Sequence, residues 1–139
     1  MPVLSPRSHD ILATCDSRLI RIMNKAIEGP LDFAVISGHR GEEEQNDLYR
    51  RGLSQRKYPN SLHCNYPSLA VDIGLWDRML GAVDWSDSNG FYVLSGQVLR
   101  VAHDLGIPLR HGANWDMDDD WDDQSFMDLG HFELVDADV

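Results

Sequence analysis

Three residues of this chain are of the types that hold a catalytic metal ion: His63, Asp72 and His131. Two imidazoles and a carboxylate give a zinc ion three ligands and leave a fourth position for water. They lie in two short stretches, Ser61 to Asp72 (S-L-H-C-N-Y-P-S-L-A-V-D) and Asp128 to Glu133 (D-L-G-H-F-E). His63 and Asp72 stand nine residues apart, across a loop and into a strand, so no helix face joins them as it does in H-E-x-x-H. By type alone this pair also fits a solvated loop histidine and a solvated strand-end aspartate. His131 shifts the balance, because it sits inside an apolar strand pattern, where an imidazole is costly unless something is bound to it. Strand alternation puts His131 and Glu133 on one face and Phe132 and Leu134 on the other. Asp128, just before that strand, can act as the general base on the water that such an ion activates.

The elements that must position these residues follow from the apolar spacing. A helix capped by Ser8 or Asp10 is predicted through Leu12, Cys15, Leu19, Ile22, Met23, Ala26 and Ile27, stopping at Glu28-Gly29-Pro30. Phe33 to Ser37 reads as a buried strand, followed by a turn that holds His39 and Arg40. A second helix covers Glu42 to Arg51, with glutamates in its first turn and arginines in its last, as the helix dipole favours. Leu53 to Pro67 reads as loop, and Leu69 to Ile73 as a second strand ending near Asp72. Trp76 to Asn89 reads as irregular. A third helix runs through Phe91, Leu94, Val98, Val101 and Leu105 to Gly106. A last strand covers His131 to Val135. The order predicts a compact α+β domain, a single unit over residues 1–139.

Length and composition agree with one globular core: 139 residues, 42% of them hydrophobic. A net charge of −11 disfavours nucleic acid and anionic lipid as partners. No apolar run reaches a membrane span, and the first residues lack the pattern of a signal peptide; synthesis in the cytoplasm is therefore expected. Two cysteines, Cys15 and Cys64, form no disulfide framework and read as packing. Six aspartates crowd into Asp116 to Asp123. Asp116, Asp118, Asp120 and Asp122 alternate like calcium ligands, but Trp121 and Met127 stand where an EF-hand needs Gly and Glu. A solvated acidic loop and a calcium site both remain open there.

The motifs S-G-H-R at Ser37 to Arg40, Gln45, Leu48, Tyr49 and Gly52, then S-L-H, P-S-L-A-V-D and D-L-G-H-F-E-L follow one another in a familiar order. From about Ser8 to Leu134 the chain resembles the L-alanyl-D-glutamate endopeptidases of phage endolysins. These are zinc peptidases related to D-alanyl-D-alanine carboxypeptidases and hedgehog N-terminal domains. The resemblance implies a small antiparallel sheet with flanking helices, with zinc on His63, Asp72 and His131. It implies Asp128 as the catalytic acid and base, and Arg40 as the group that meets a developing oxyanion or a substrate carboxylate. The loop between His63 and Asp72 is longer than in many relatives, by Asn65 to Pro67, and His39 replaces the usual aromatic. The acidic loop is similar to a calcium-responsive loop of some relatives, which makes calcium a regulator to expect. The substrate implied is the peptidoglycan stem peptide, cut by a monomer during phage-induced lysis, with no separate wall-binding domain. Release from the host cytoplasm to the periplasm through a holin pore is the implied route. The alternatives are a D-alanyl-D-alanine carboxypeptidase of the same fold and a non-catalytic zinc-containing binding module.

Overall fold

The computed structural model describes residues 2–54, 56–112 and 129–135. Among the described residues, four helices and five strands follow in the order α1 (Pro6–Leu12), α2 (Ser17–Ala26), β1 (Phe33–Ser37), α3 (Glu42–Arg50), β2 (Ala70–Asp77), β3 (Ala82–Val83), α4 (Ser88–Leu105), β4 (Leu109–His111) and β5 (His131–Leu134). A 3-10 turn, Leu62–Cys64, precedes β2. The sheet runs β1-β2-β5-β4, with β3 paired to β2, and every strand pairing is antiparallel. This is the α+β class, with the small antiparallel sheet and flanking helices that the sequence leads one to expect.

The first predicted helix is two helices. Ser5 caps α1, accepting from the Ser8 backbone N–H, with Pro6 where a missing N–H costs nothing. Asp16 then caps α2 by accepting from Arg18 N. Between them the chain leaves the helix to pair with a distant strand-like segment. Asp16 N donates to the Ser68 carbonyl at 2.8 Å, and Ser68 N donates to the Thr14 carbonyl at 2.8 Å. Cys15 is therefore buried at a bridge to Ser68 rather than on a helix face.

The second strand is longer than expected. β2 continues through Leu75 and Trp76 to Asp77, turns at Gly81 with φ +67°, and returns as β3. Asp72 is therefore the third residue of an eight-residue strand, not a strand end. The α3 and α4 expectations hold. α3 ends before Gly52, and α4 starts at an Asp87 cap and stops at Gly106 in the left-handed region, φ 72°. α4 packs against α2 and against β2 and β4, and α1 packs against β1. Leu19, Ile22, Phe91, Val98, Ile73 and Phe132 are at the centre of the core.

β4 is a three-residue strand with no sequence signature, and it closes the sheet edge beside β5. Its His111 is nearly fully buried against the Phe132 ring, and its Nε2–H donates to the Leu129 carbonyl at 2.6 Å. Burial, partly offset by that hydrogen bond, pushes the imidazole down to about 4. An unfolded chain titrates near 6.5. With the folded value depressed, the stabilisation is complete above about 6.5 and is lost as pH falls toward 4. Between pH 7 and pH 5 the loss is roughly 2 kcal/mol. Urea unfolding of the metal-free chain at these two pH values reads it, and His111→Gln is expected to flatten the pH dependence by about that amount.

Candidate metal centre

Each candidate ligand is held by a different local device. His63 sits in the 3-10 turn, whose cap is the Ser61 hydroxyl accepting from His63 N at 3.2 Å. Its Nδ1–H donates to the Gly38 carbonyl at 2.7 Å, which leaves the Nε2 lone pair facing inward. The turn after β1 is locked to this segment a second time, through Arg40 N to the His63 carbonyl at 2.8 Å. Gly38 has no room for a side chain, because Thr14 and the Ile11 carbonyl lie where a Cβ would project.

Asp72 and His131 face each other across the β2–β5 ladder. His131 Nδ1 lies 2.8 Å from Asp72 Oδ1, and His63 Nε2 lies 3.3 Å from Asp72 Oδ2. Gly130 lets the chain enter β5 hard against the Ile73 carbonyl, where a Cβ would collide. Burial alone would raise the Asp72 carboxyl, but the facing imidazoles of His63 and His131 hold it well below the usual carboxylate range. For His131 burial opposes the charge, and the Asp72 and Glu133 carboxylates outweigh it, raising the imidazole to about 9. The far ring nitrogen, Nε2, is 2.9 Å from Glu133 Oε1.

Arg40 reaches the same cluster. A register shift in β1 between Val35 and Ser37 brings Ser37 opposite Asp72, and such a bulge re-aims the chain that follows. The guanidinium donates to Asp72 Oδ2 at 2.6 Å, Ser37 Oγ at 3.1 Å and Gln45 Oε1 at 3.2 Å. Gln45 on α3 is fully buried, and its Nε2 donates to Ser54 Oγ and to the Arg56 carbonyl. It ties Arg40 to the loop after α3. Motif order alone marked Gln45; its link to Arg40 depends on contacts between α3 and two loops.

The three candidate ligands fit a metal ion. Ligand atoms about 2.0–2.2 Å from one tetrahedral ion lie about 3.3 Å from each other. One ligand atom from each of His63, Asp72 and His131 lies within 4.8 Å of the others. His63 Nε2 is buried and makes no well-formed hydrogen bond, only the 3.3 Å approach to Asp72 Oδ2, as suits a nitrogen placed to take a metal. Two imidazoles and a carboxylate are a donor set that zinc takes readily.

The remaining histidines are apart from this cluster. His9 and His103 are exposed, and His39 accepts an edge-on contact with Tyr66 while its Nδ1 lies 3.0 Å from the Asn65 carbonyl. The free cysteines also stand outside it: burial raises Cys64 and pushes Cys15 up to about 11. Of the basic residues, Arg50 and Arg51 pair with Asp47 on α3 itself, and Lys57 lies over the Tyr49 ring. The expected base Asp128 and the expected calcium residues Asp116, Asp118, Asp120 and Asp122 lie outside the described residues.

Fold and cluster together define a small α+β domain with a candidate mononuclear metal centre at the middle of its sheet. The chain belongs to the phage L-alanyl-D-glutamate peptidase family, whose sequence profile matches residues 3–135. It is 31% identical over 129 residues to the L-alanyl-D-glutamate peptidase of Escherichia phage T5, covering 89% of this chain and 91% of that one. Among solved structures it resembles the L-Ala D-Glu endopeptidase ChiX of Serratia marcescens. There the TM-score is 0.76 at 25% identity, over 97% of this chain and 90% of the other. The family expected from the order of the motifs is the family matched.

Proposed function

We propose that this chain is a zinc-dependent peptidoglycan endopeptidase that hydrolyses the L-alanyl-D-glutamate bond of the stem peptide during phage-induced lysis. The observation that carries the reading is the convergence of His63, Asp72 and His131 in a chain of this family. When bound, zinc would lower the pKa of a coordinated water and polarise the scissile carbonyl. Everything else falls to the chain. The Gly38 carbonyl fixes the His63 tautomer, and Asp72 joins the two imidazoles at one point.

Asp128 removes the proton of the attacking water and returns it to the leaving amine of D-glutamate, so that one carboxylate serves as base and then as acid. Arg40, held by Ser37 and Gln45, orients Asp72 by donating to its Oδ2. Its planar fork also offers a donor to the oxyanion or to a substrate carboxylate. Among the described residues no helix is long and apolar enough to cross a membrane.

Digestion of purified peptidoglycan followed by mass spectrometry of the released fragments tests the assignment. The expected products are peptides with D-glutamate at a new N-terminus and glycan that retains L-alanine. Release of free D-alanine with the L-alanyl-D-glutamate bond intact would contradict it and identify a carboxypeptidase.

A further inference from the structure

The zinc reading leaves one buried charge without a task, and that charge lies directly behind a ligand. We propose that Glu133 and Arg110 are a positioning pair for His131, selecting the ring nitrogen that faces the metal centre. The proposal rests on the metal-centre reading given above.

The pair is a product of sheet register. Asp72 lies opposite His131 across β2 and β5, and Arg110 lies opposite Glu133 across β4 and β5. A line of alternating charge therefore crosses the sheet from Arg40 through Asp72, His131 and Glu133 to Arg110. Glu133 is only 3% exposed. A carboxylate so buried is tolerated when a cation neutralises it, and the Arg110 guanidinium is hydrogen-bonded to Glu133 Oε2. Its other oxygen, Oε1, is left to accept from His131.

That acceptor decides the orientation of the His131 ring. The outer torsion of histidine is broad and close to two-fold, so the ring has two orientations related by a half-turn. Glu133 Oε1 takes the Nε2–H at 2.9 Å, and Nδ1 is then the nitrogen turned toward Asp72. A carboxylate on the far nitrogen also raises the basicity of the ligating one. His63 is oriented by the neutral Gly38 carbonyl instead. The two imidazoles of the centre are thus supported unequally, and His131 is the stronger donor.

Zinc affinity, measured by competition with a chromophoric chelator, tests the pair in the full chain. The variants are Glu133→Gln, Arg110→Met, the double variant and His131→Ala, each with the melting temperature of its metal-free form. Glu133→Gln is expected to weaken zinc about 10–100-fold. Arg110→Met, which keeps an aliphatic stem at a partly exposed position, weakens it in the same direction, and the double variant is no weaker than Glu133→Gln. If Glu133→Gln does not fold, Arg110→Met decides by the same criterion. Zinc affinity within about threefold of the parent in the single variants, with only the melting temperature lowered, would overturn the proposal while leaving the metal centre intact. If His131→Ala binds zinc as tightly as the parent, the metal-centre reading itself is wrong and the positioning role falls with it.

Discussion

Asp128→Ala is expected to lower hydrolysis of peptidoglycan by about 10²–10⁴-fold, the usual worth of a positioned general acid and base, while one zinc per chain remains bound. Only Leu129 and Gly130 separate Asp128 from His131, and three residues span at most about 11 Å. Both intervening residues are buried, and the Leu129 carbonyl is held by His111, so the anchor of that reach is fixed. On the proposed reading Asp128 is not needed to bind the ion, because His63, Asp72 and His131 would supply the ligands. Activity and metal content should therefore separate in this variant. Zinc analysis and turnover measured on the same preparation check it. Activity retained with zinc bound would remove Asp128 from the mechanism.

Asp72→Asn should have the larger effect on the protein as a whole. Among the described residues, Asp72 alone contacts both imidazoles and the guanidinium of Arg40. Loss of a group behind a ligand costs about 10–100-fold in metal affinity, and loss of the charged ligand itself should exceed about 100-fold. Hydrolysis then falls to background at ordinary zinc concentrations. The metal-free chain is expected to lose stability as well. Arg40 is mostly buried, and below about pH 9 His131 is protonated with Asp72 as one of its two counter-ions. Breaking a buried pair by removing one partner costs about 3–5 kcal/mol; retention of an amide at this position places the expected loss toward the lower end. Chelator competition and urea unfolding of the metal-free variant measure the two effects separately.

The site was legible in the sequence to the extent that its chemistry is local. His63, Asp72 and His131 stand out by type and by the apolar strand pattern around His131, and the strand alternation that pairs His131 with Glu133 is seen in the structure. What joins those stretches is non-local. The partnership of Glu133 with Arg110 depends on β4, a strand too short to leave a period, and on its register with β5. The anchoring of Arg40 depends on a bulge in β1 and on Gln45 arriving from α3.

The fold divides the same way. α3 and α4 carry their own stop signals in Gly52 and Gly106, and both helices end there. The first helix was misread because Leu12, Cys15 and Leu19 keep helical spacing across the break. Hydrogen bonds to Ser68, more than fifty positions away in the chain, outweigh that spacing. β2 was cut short because Gly74 and the polar residues after Trp76 mimic a turn. Gly74 in fact gives Val83 of β3 room to pack.

Anomalous diffraction at the zinc edge from crystals of the zinc-loaded chain asks whether one zinc ion sits among His63, Asp72 and His131. The expected result is a single strong peak about 2.0–2.2 Å from His63 Nε2, an Asp72 carboxylate oxygen and His131 Nδ1. A fully active chain whose only peak lies elsewhere, or that shows none, would contradict it.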